Sequence, residues 1–402
     1  MLIVQKYGGT SVANAERINH VARRIADTYR AGNKIVAVLS AQGSLTDRLL
    51  QKAHEINPKA SLRELDMLLT TGEQQSVALM AMALHRLGLS AVSLNATQIG
   101  LKTSDHYGNA RIKSIQTHRI LAELERDNIV LVAGFQGVNS KGDLTTLGRG
   151  ASNTTAVAIA AVLGADLCEN CTDVDGVYTA DPRVVPGARK LATITYDEML
   201  EMSCQVFHNR AAEMAKRYNV KLIIRSSMTD EPGTQVKEGT KVEDLYVSGV
   251  SVDRDVAQIS LLGMQNIGGA AYNIFALLAK ENISVDIILQ TPGADSITDI
   301  SFTVSKQDGE TALAVIQANK ESLGYQRLTH NANLAKLSIV GAGMTASPGV
   351  AAAMFEALYE NDINIEMIST SEIKVAVLID EQKAEKAMQA VHEKFIHLLP
   401  EV

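Results

Sequence analysis

Tryptophan is absent from the 402-residue chain, and aromatic residues together make up only 4%. That scarcity argues against a base-stacking platform for single-stranded nucleic acid. A basic surplus is missing too: 38 Lys and Arg stand against 45 Asp and Glu, a net charge of -7. No nucleic acid and no membrane is therefore expected as a partner. The longest apolar run, Ala156 to Ala165, is too short to span a bilayer. The N-terminus enters a strand-like run at once, without the basic and then apolar regions of a secretion signal, so a cytoplasmic location is expected. Three cysteines, Cys168, Cys171 and Cys204, are too few for a disulfide framework. Cys168 and Cys171 have the spacing of a metal or redox pair. Yet they lie in a strand-like run, where positions three apart face opposite sides, and buried thiols are expected instead. The histidines lack ligand spacing, so no protein metal site is expected. Neither a Walker-type loop nor a Gly-x-Gly-x-x-Gly fingerprint occurs, which disfavours the ordinary nucleotide folds.

What is present begins with Leu2-Ile3-Val4-Gln5-Lys6-Tyr7-Gly8-Gly9-Thr10-Ser11-Val12. A short buried strand ends near Lys6, and two glycines turn the chain toward a helix marked by Ile18, Val21, Ala22, Ile25, Ala26 and Tyr29. A strand, a glycine turn and a helix N-terminus make an anion site, with amides aimed at a phosphate and a lysine as point charge. Up to about residue 245 strand, loop and helix then alternate. Strands are expected at Lys34 to Leu39, Ile129 to Phe135 and Leu222 to Arg225, with helices near Thr46, from Thr71 and over Thr154 to Leu163. Such alternation predicts a mostly parallel sheet covered by helices on both faces, with ligands beyond the carboxyl ends of the strands.

Beyond residue 245 an internal repeat appears. Gly269 with Ile274-Phe275-Ala276-Leu277-Leu278 matches Gly349 with Met354-Phe355-Glu356-Ala357-Leu358, and Ile283 matches Ile363, at one offset (349 − 269 = 363 − 283 = 80). Each copy reads as strand, helix, strand, strand, helix, strand, a small α+β module. The expected division is 1–245, 246–330 and 331–402.

Three segments carry charge suited to chemistry. Arg149 stands between Gly148 and Gly150 before a helix, where a guanidinium can hold a carboxylate in bidentate fashion or simply sit in a turn. Glu73 opens a helix, either as charge placement at its N-terminus or as a receptor for a substrate ammonium. The polar run from Asp173 to Arg183 is solvated punctuation or a nucleotide pocket.

Together these segments resemble the aspartokinases, members of the amino-acid-kinase family that phosphorylate the side-chain carboxylate of L-aspartate. The matching runs are Lys6 to Val12, Ser40-Ala41 with Thr46-Asp47, Thr71-Gly72-Glu73, Phe135-Gln136-Gly137, Thr145 to Gly150 and Thr172 to Arg183. The repeat is similar to a tandem pair of ACT modules, with Ser338 to Met344 and Ile368 to Ile373 characteristic. The resemblance implies a three-layer αβα sandwich followed by two ferredoxin-like modules. It implies that Lys6, Gly8, Gly9, Ser11, Thr172, Asp173, Tyr178, Asp181 and Arg183 bind ATP, with Mg²⁺ arriving on the nucleotide. It implies aspartate binding by Ser40, Thr46, Glu73, Arg149 and Ser152, and catalysis by Lys6, Arg149 and the residue at 153. Lysine, threonine or both would act as allosteric effectors at Asn266, Gly269, Ala271, Gln290, Asn364 and Ile365, in a homo-oligomer, expected to be a dimer, formed through the ACT modules.

Three positions depart from the family pattern. Asn153 stands where an aspartate is usual, Gln205 where a lysine is usual, and Gln42 where a methionine is usual. Two readings follow: a working, feedback-regulated kinase, or an impaired or altered-substrate paralogue that binds amino acids as a regulator.

Overall fold

The computed structural model describes residues 1–148, 150–202, 207–239, 246–265, 268–293, 297–342, 344 and 349–395. Arg149, Cys204, Gln205 and Asn266 lie outside the described residues. The chain separates into two compact units, one of Met1–Tyr178 with Lys190–Thr240, the other of Thr179–Arg189 with Lys241–Glu401.

The first unit runs β1 (Leu2–Tyr7), α1 (Ala15–Arg30), β2 (Lys34–Leu39), α2 (Leu45–Ile56), α3 (Leu62–Leu69), α4 (Thr71–Arg86), β3 (Ala91–Leu94), β4 (Lys102–Thr103), β5 (Ile112–Ser114), α5 (His118–Glu125) and β6 (Ile129–Ala133). It continues with β7 (Gln136–Val138), β8 (Leu144–Thr146), α6 (Ser152–Leu163), β9 (Leu167–Thr172), β10 (Thr193–Thr195), α7 (Tyr196–Met202), α8 (Asn209–Arg217), β11 (Leu222–Ser226) and β12 (Thr234–Lys237). Eight strands form one sheet in the order β10-β12-β11-β9-β1-β2-β6-β3. Only the β11–β12 pair is antiparallel, so the expectation of a mostly parallel sheet is met.

The sequence explains both covering layers. In α1 the buried set Ile18, Val21, Ala22, Ile25 and Ala26 recurs at helical spacing, and the Asn14 side chain caps the first turn by accepting from the Arg17 amide. Each large aliphatic side chain buried there contributes about 1.5–3 kcal/mol. That face packs on Ile3, Ile35 and Leu39, whereas α6, apolar beyond its polar first turn, packs with Val4, Val36 and Val38 on the other face. Cys168 belongs to the α6 side and Cys171 to the α1 side, so the two thiols do face opposite layers. Burial pushes both thiols well above their ordinary values, which keeps them inert.

A second, four-stranded sheet, β5-β4-β7-β8, was not foreseen in the sequence. Its strands are two or three residues long, too short for a periodic signal.

The second unit comprises β13 (Tyr246–Gln265), α9 (Ala270–Lys280), β14 (Ile288–Pro292), β15 (Ile297–Val304), α10 (Lys306–Ala318), α11 (Lys320–Leu323), β16 (Arg327–Ala342), α12 (Val350–Tyr359), β17 (Met367–Thr370), β18 (Lys374–Asp380) and α13 (Ala384–Phe395). Six antiparallel strands lie in the order β14-β15-β13-β16-β18-β17. The repeat is visible in the backbone: Gly269 and Gly349, at φ +96° and +99°, cap α9 and α12, and Asn282 and Asp362 share φ +56°.

The halves are interlocked rather than consecutive. Ala257, Ile259 and Leu261 of β13 pack with α9 and β15, whereas Val247, Val250 and Val252 pack with α12, β18 and α13. The leading half of β13 thus supplies a strand to the second copy, pairing with the trailing half of β16 from Tyr246↔Ala342 to Asp253↔Lys336.

Candidate active site

The site is built where β1, β2 and β6 end. After β1, Gly9 comes so close to the next turn that a Cβ there would lie 2.6 Å from the Ala41 carbonyl oxygen. Only glycine fits. The Gly43 amide donates to the Gly9 carbonyl at 2.9 Å and the Gln42 side chain to the Val12 carbonyl at 3.0 Å, locking the two strand exits together. Gln42 therefore has a structural role. At the end of β6, Gly134 admits the first turn of α6, because a Cβ would meet Ser152 Oγ at 2.7 Å. Ser152 and Asn153 are thereby buried above the strand ends.

Two buried groups of opposite sign stand out. Lys6, 8% exposed, has no hydrogen-bond or ion-pair partner among the described residues, and burial lowers its ammonium to about 8. A Cβ on Gly8 would lie 3.4 Å from the Lys6 Nζ, so the glycine keeps the ammonium open. Glu73, 3% exposed, sits in the first turn of α4. Its Oε1 accepts from the Ala41 amide at 3.1 Å, its Oε2 has no partner, and burial raises the carboxyl to about 7. An unpaired buried charge is costly to the fold. Both groups are poised to receive ligand groups of the opposite charge.

The other expected residues are placed as follows. Ser40 leaves β2 with its amide on the Tyr7 carbonyl at 3.1 Å, and Thr46 stands in the first turn of α2. Ser11 is buried and donates its hydroxyl to Ser227 at 2.7 Å, so that side chain is spent inside the fold. Thr172 ends β9 and bonds Asp173 at 3.1 Å; Tyr178 donates to Asp175 at 2.9 Å. Asp181 and Arg183 pair with each other at 2.6 Å in the segment that belongs to the second unit. In that unit Gly269 and Ala271 open α9, Gln290 lies on the exposed edge strand β14 with its amide 3.3 Å from Thr298, Asn364 bonds Glu366 at 3.2 Å, and Ile365 is partly buried.

Sequence reasoning missed three supports. Arg210 donates to the Leu147 carbonyl at 2.9 Å and to the Ala110 carbonyl at 3.0 Å, fixing the chain just before Gly148. Asp66, 1% exposed, accepts from Thr146 through both its amide and its hydroxyl and from the Gly108 amide. Asn170 is buried on β9 with neither end of its amide partnered. No local pattern signals any of these, since each acts across 42 or more residues of chain or through the sheet.

Comparison with known proteins identifies the family. The amino acid kinase family matches residues 1–226, and the ACT domain matches residues 259–319 and 337–395. The chain is 47% identical to the aspartokinase of Bacillus sp. (strain MGA3), covering 98% of this chain and 97% of that one. It is 47% identical to the aspartokinase of Mycolicibacterium smegmatis, covering 98% and 96%. The structure of E. coli aspartokinase III in complex with aspartate and ADP (R-state) superposes with a TM-score of 0.86 at 25% identity, covering 98% of this chain and all of that one. By matched family, near-complete coverage and fold, the chain belongs to the aspartokinases.

Proposed function

We propose that this aspartokinase transfers the γ-phosphoryl group of ATP to the side-chain carboxylate of L-aspartate in the pocket around Lys6 and Glu73. The observation that carries the assignment is this pair of buried, unpaired groups of opposite sign at neighbouring strand exits. Lys6 and the amides after Gly8 and Gly9 suit phosphate oxygens. Glu73, through its free Oε2, suits the substrate ammonium, and Arg149 a substrate carboxylate, with Ser40, Thr46 and Ser152 as hydroxyl partners.

The nucleophile needs no general base. The side-chain carboxyl of aspartate ordinarily titrates at about pH 3.9, so it is ionised at neutral pH. Its oxygen forms the new bond to phosphorus, the bond from phosphorus to the bridging oxygen of ADP breaks, and ADP leaves with the electron pair, giving 4-phospho-L-aspartate. The protein's work is alignment and charge neutralisation. Among the described residues no His, Cys, Asp and Glu cluster of three can cage a metal. Mg²⁺ would arrive on the nucleotide, held mainly by phosphate and water. The metal would supply charge neutralisation on the phosphates.

For the second unit we propose that lysine, threonine or both bind at Gly269, Ala271, Gln290, Asn364, Ile365 and Asn266, across an interface between two copies. Supporting this, the two edge strands are open: all of β14 is exposed, with Ile288 and Leu289 at 53% and 44%, and Ile368 of β17 is exposed at 47%. Apolar edges of this kind seek a partner strand. An inhibitor must bind the inactive state more tightly than the active one.

The test is ADP release dependent on both aspartate and ATP. Arg149→Ala should lose about 100-fold in kcat/KM for aspartate with the KM for ATP little changed. A loss confined to ATP would remove Arg149 from the aspartate site. Gln290→Ala should relieve inhibition by lysine or threonine at unchanged uninhibited kcat; persistence of full inhibition would sink the effector assignment.

A further inference from the structure

Asn170 is the one buried side chain among the described residues with two unpartnered polar atoms: Nδ2 and Oδ1 alike lack a hydrogen bond at 1% exposure. A buried amide in that condition weakens the fold unless something else occupies its bonds.

Its place on the sheet says what. Asn170 on β9 is the register partner of Lys6 on β1. Val4 and Cys168, two residues earlier on the same strands, both lie in the core beneath α6, together with Ala156, Val157 and Ile159. Side chains alternate along a strand, so Lys6 and Asn170 share that face, side by side, nearer the carboxyl ends. The first turn of α6 lies over those ends, as the approach of Ser152 to Gly134 fixes. There Asn153 is 6% exposed and its Oδ1 has no partner either.

The unused atoms are complementary. Lys6 Nζ is a free donor, Asn170 offers one acceptor and one donor, and Asn153 Oδ1 is a free acceptor. We propose that Asn170 is a positioning residue for phosphoryl transfer, closing a chain from Lys6 Nζ to Asn170 Oδ1 and from Asn170 Nδ2 to Asn153 Oδ1 when nucleotide binds. One of the three ammonium hydrogens is then held by protein and two remain for phosphate oxygens. The chain ties the first turn of α6 to the lysine, without a carboxylate at 153. The inference rests on the reading of Lys6 as the phosphate-binding lysine.

Burial lowers the Lys6 ammonium, and Asp173 beside β9 is the charged group that opposes this; the Cys168 and Cys171 thiols on β9 are kept neutral by burial, and the first turn of α6 contributes no acidic residue. An amide oxygen on the ammonium favours its charged form, and removing it lowers the pH at which Lys6 deprotonates.

The experiment uses the full-length protein with Asn170→Leu and Asn170→Asp, measuring kcat, both KM values, the alkaline limb of the kcat profile and Tm. Asn170→Leu should lower kcat about 10-fold with the KM for aspartate nearly unchanged, and move the alkaline limb to lower pH by about half a unit. Its Tm should hold or rise, because an unpaired amide has been removed. Asn170→Asp should move the limb upward, since a carboxylate beside the ammonium favours its charge. Should Asn170→Leu fold with wild-type kcat and limb, whatever its Tm, the proposal is overturned. Should that variant not fold, an unmoved limb in Asn170→Asp overturns it equally. Lys6→Ala, run alongside, separates the two claims: retained activity there would refute the lysine reading itself.

Discussion

In the roles proposed for Glu73 and Lys6, burial of these single ionisable groups sets the working range of this enzyme. Glu73 must be ionised to receive an ammonium, and burial raises it to about 7 in the free protein. Lys6 must be protonated to bind phosphate, and burial lowers it to about 8. As pH falls through 7 the carboxylate is lost, and as pH rises through 8 the ammonium is lost. Because kcat/KM reports the free enzyme, its profile for aspartate should be a narrow bell between these limits. Glu73→Gln should abolish the acid limb and cost about 100-fold in kcat/KM, as removal of a buried charge partner does. A profile flat from about pH 6 to about pH 9 would contradict both assignments. In the first turn of α6, Asn153→Asp introduces a carboxylate. The expected outcome is a higher kcat, if need be only together with Gln205→Lys, measured in the ADP-release assay; an unchanged kcat in single and double variants would show that the amide already suffices.

Elements explain how much of this was legible in the sequence. The helices α1, α4 and α6 and the strands β1, β2 and β6 were readable because each has one dominant period and a glycine or polar exit. Lys6 and Glu73 were readable because they stand at element ends, where a sheet of this kind places ligands. What stayed hidden acts at a distance. The exchange of half of β13 into the second copy leaves no mark on the sequence pattern, since both halves alternate in the same way. Arg210 stands in the first turn of α8, yet its guanidinium reaches back to hold the Leu147 and Ala110 carbonyls. Leaving a buried acceptor unpaired costs about 1–3 kcal/mol. Arg210→Ala should therefore lower the apparent Tm and raise the KM for aspartate more than the KM for ATP, because the freed segment leads directly into Gly148. Arg210→Lys should recover only part, since a single ammonium cannot reproduce the planar fork. Equal effects on both KM values would show that Arg210 serves the fold at large.

At the scale of the whole molecule, the chain departs from a simple succession of domains at Thr179–Arg189. Ala180 and Val185 of this segment are buried in the core of the second unit with Met388 and Val391 of α13. Its first residue, Thr179, is fully buried; its Oγ1 accepts from the Arg189 amide at 2.9 Å and lies 3.0 Å from His392 Nε2. The segment is thus closed at its base by one hydroxyl and one imidazole. Desolvation and the nearby Arg189 charge lower the His392 value below the ordinary 6.5. A histidine with a depressed folded value binds fewer protons folded than unfolded, so its contribution is fully present above about 6.5 and is lost as pH falls through the depressed value. Amide hydrogen exchange at Thr179 and Arg189 should accordingly be slow at about pH 7.5 and quicken on acidification more than the intrinsic rate predicts. In His392→Ala it should be fast already at that pH, with α6 and β1 still protected. Protection at Thr179 and Arg189 that survived the loss of the imidazole would show that the Ala180 and Val185 contacts alone hold the segment in the second unit.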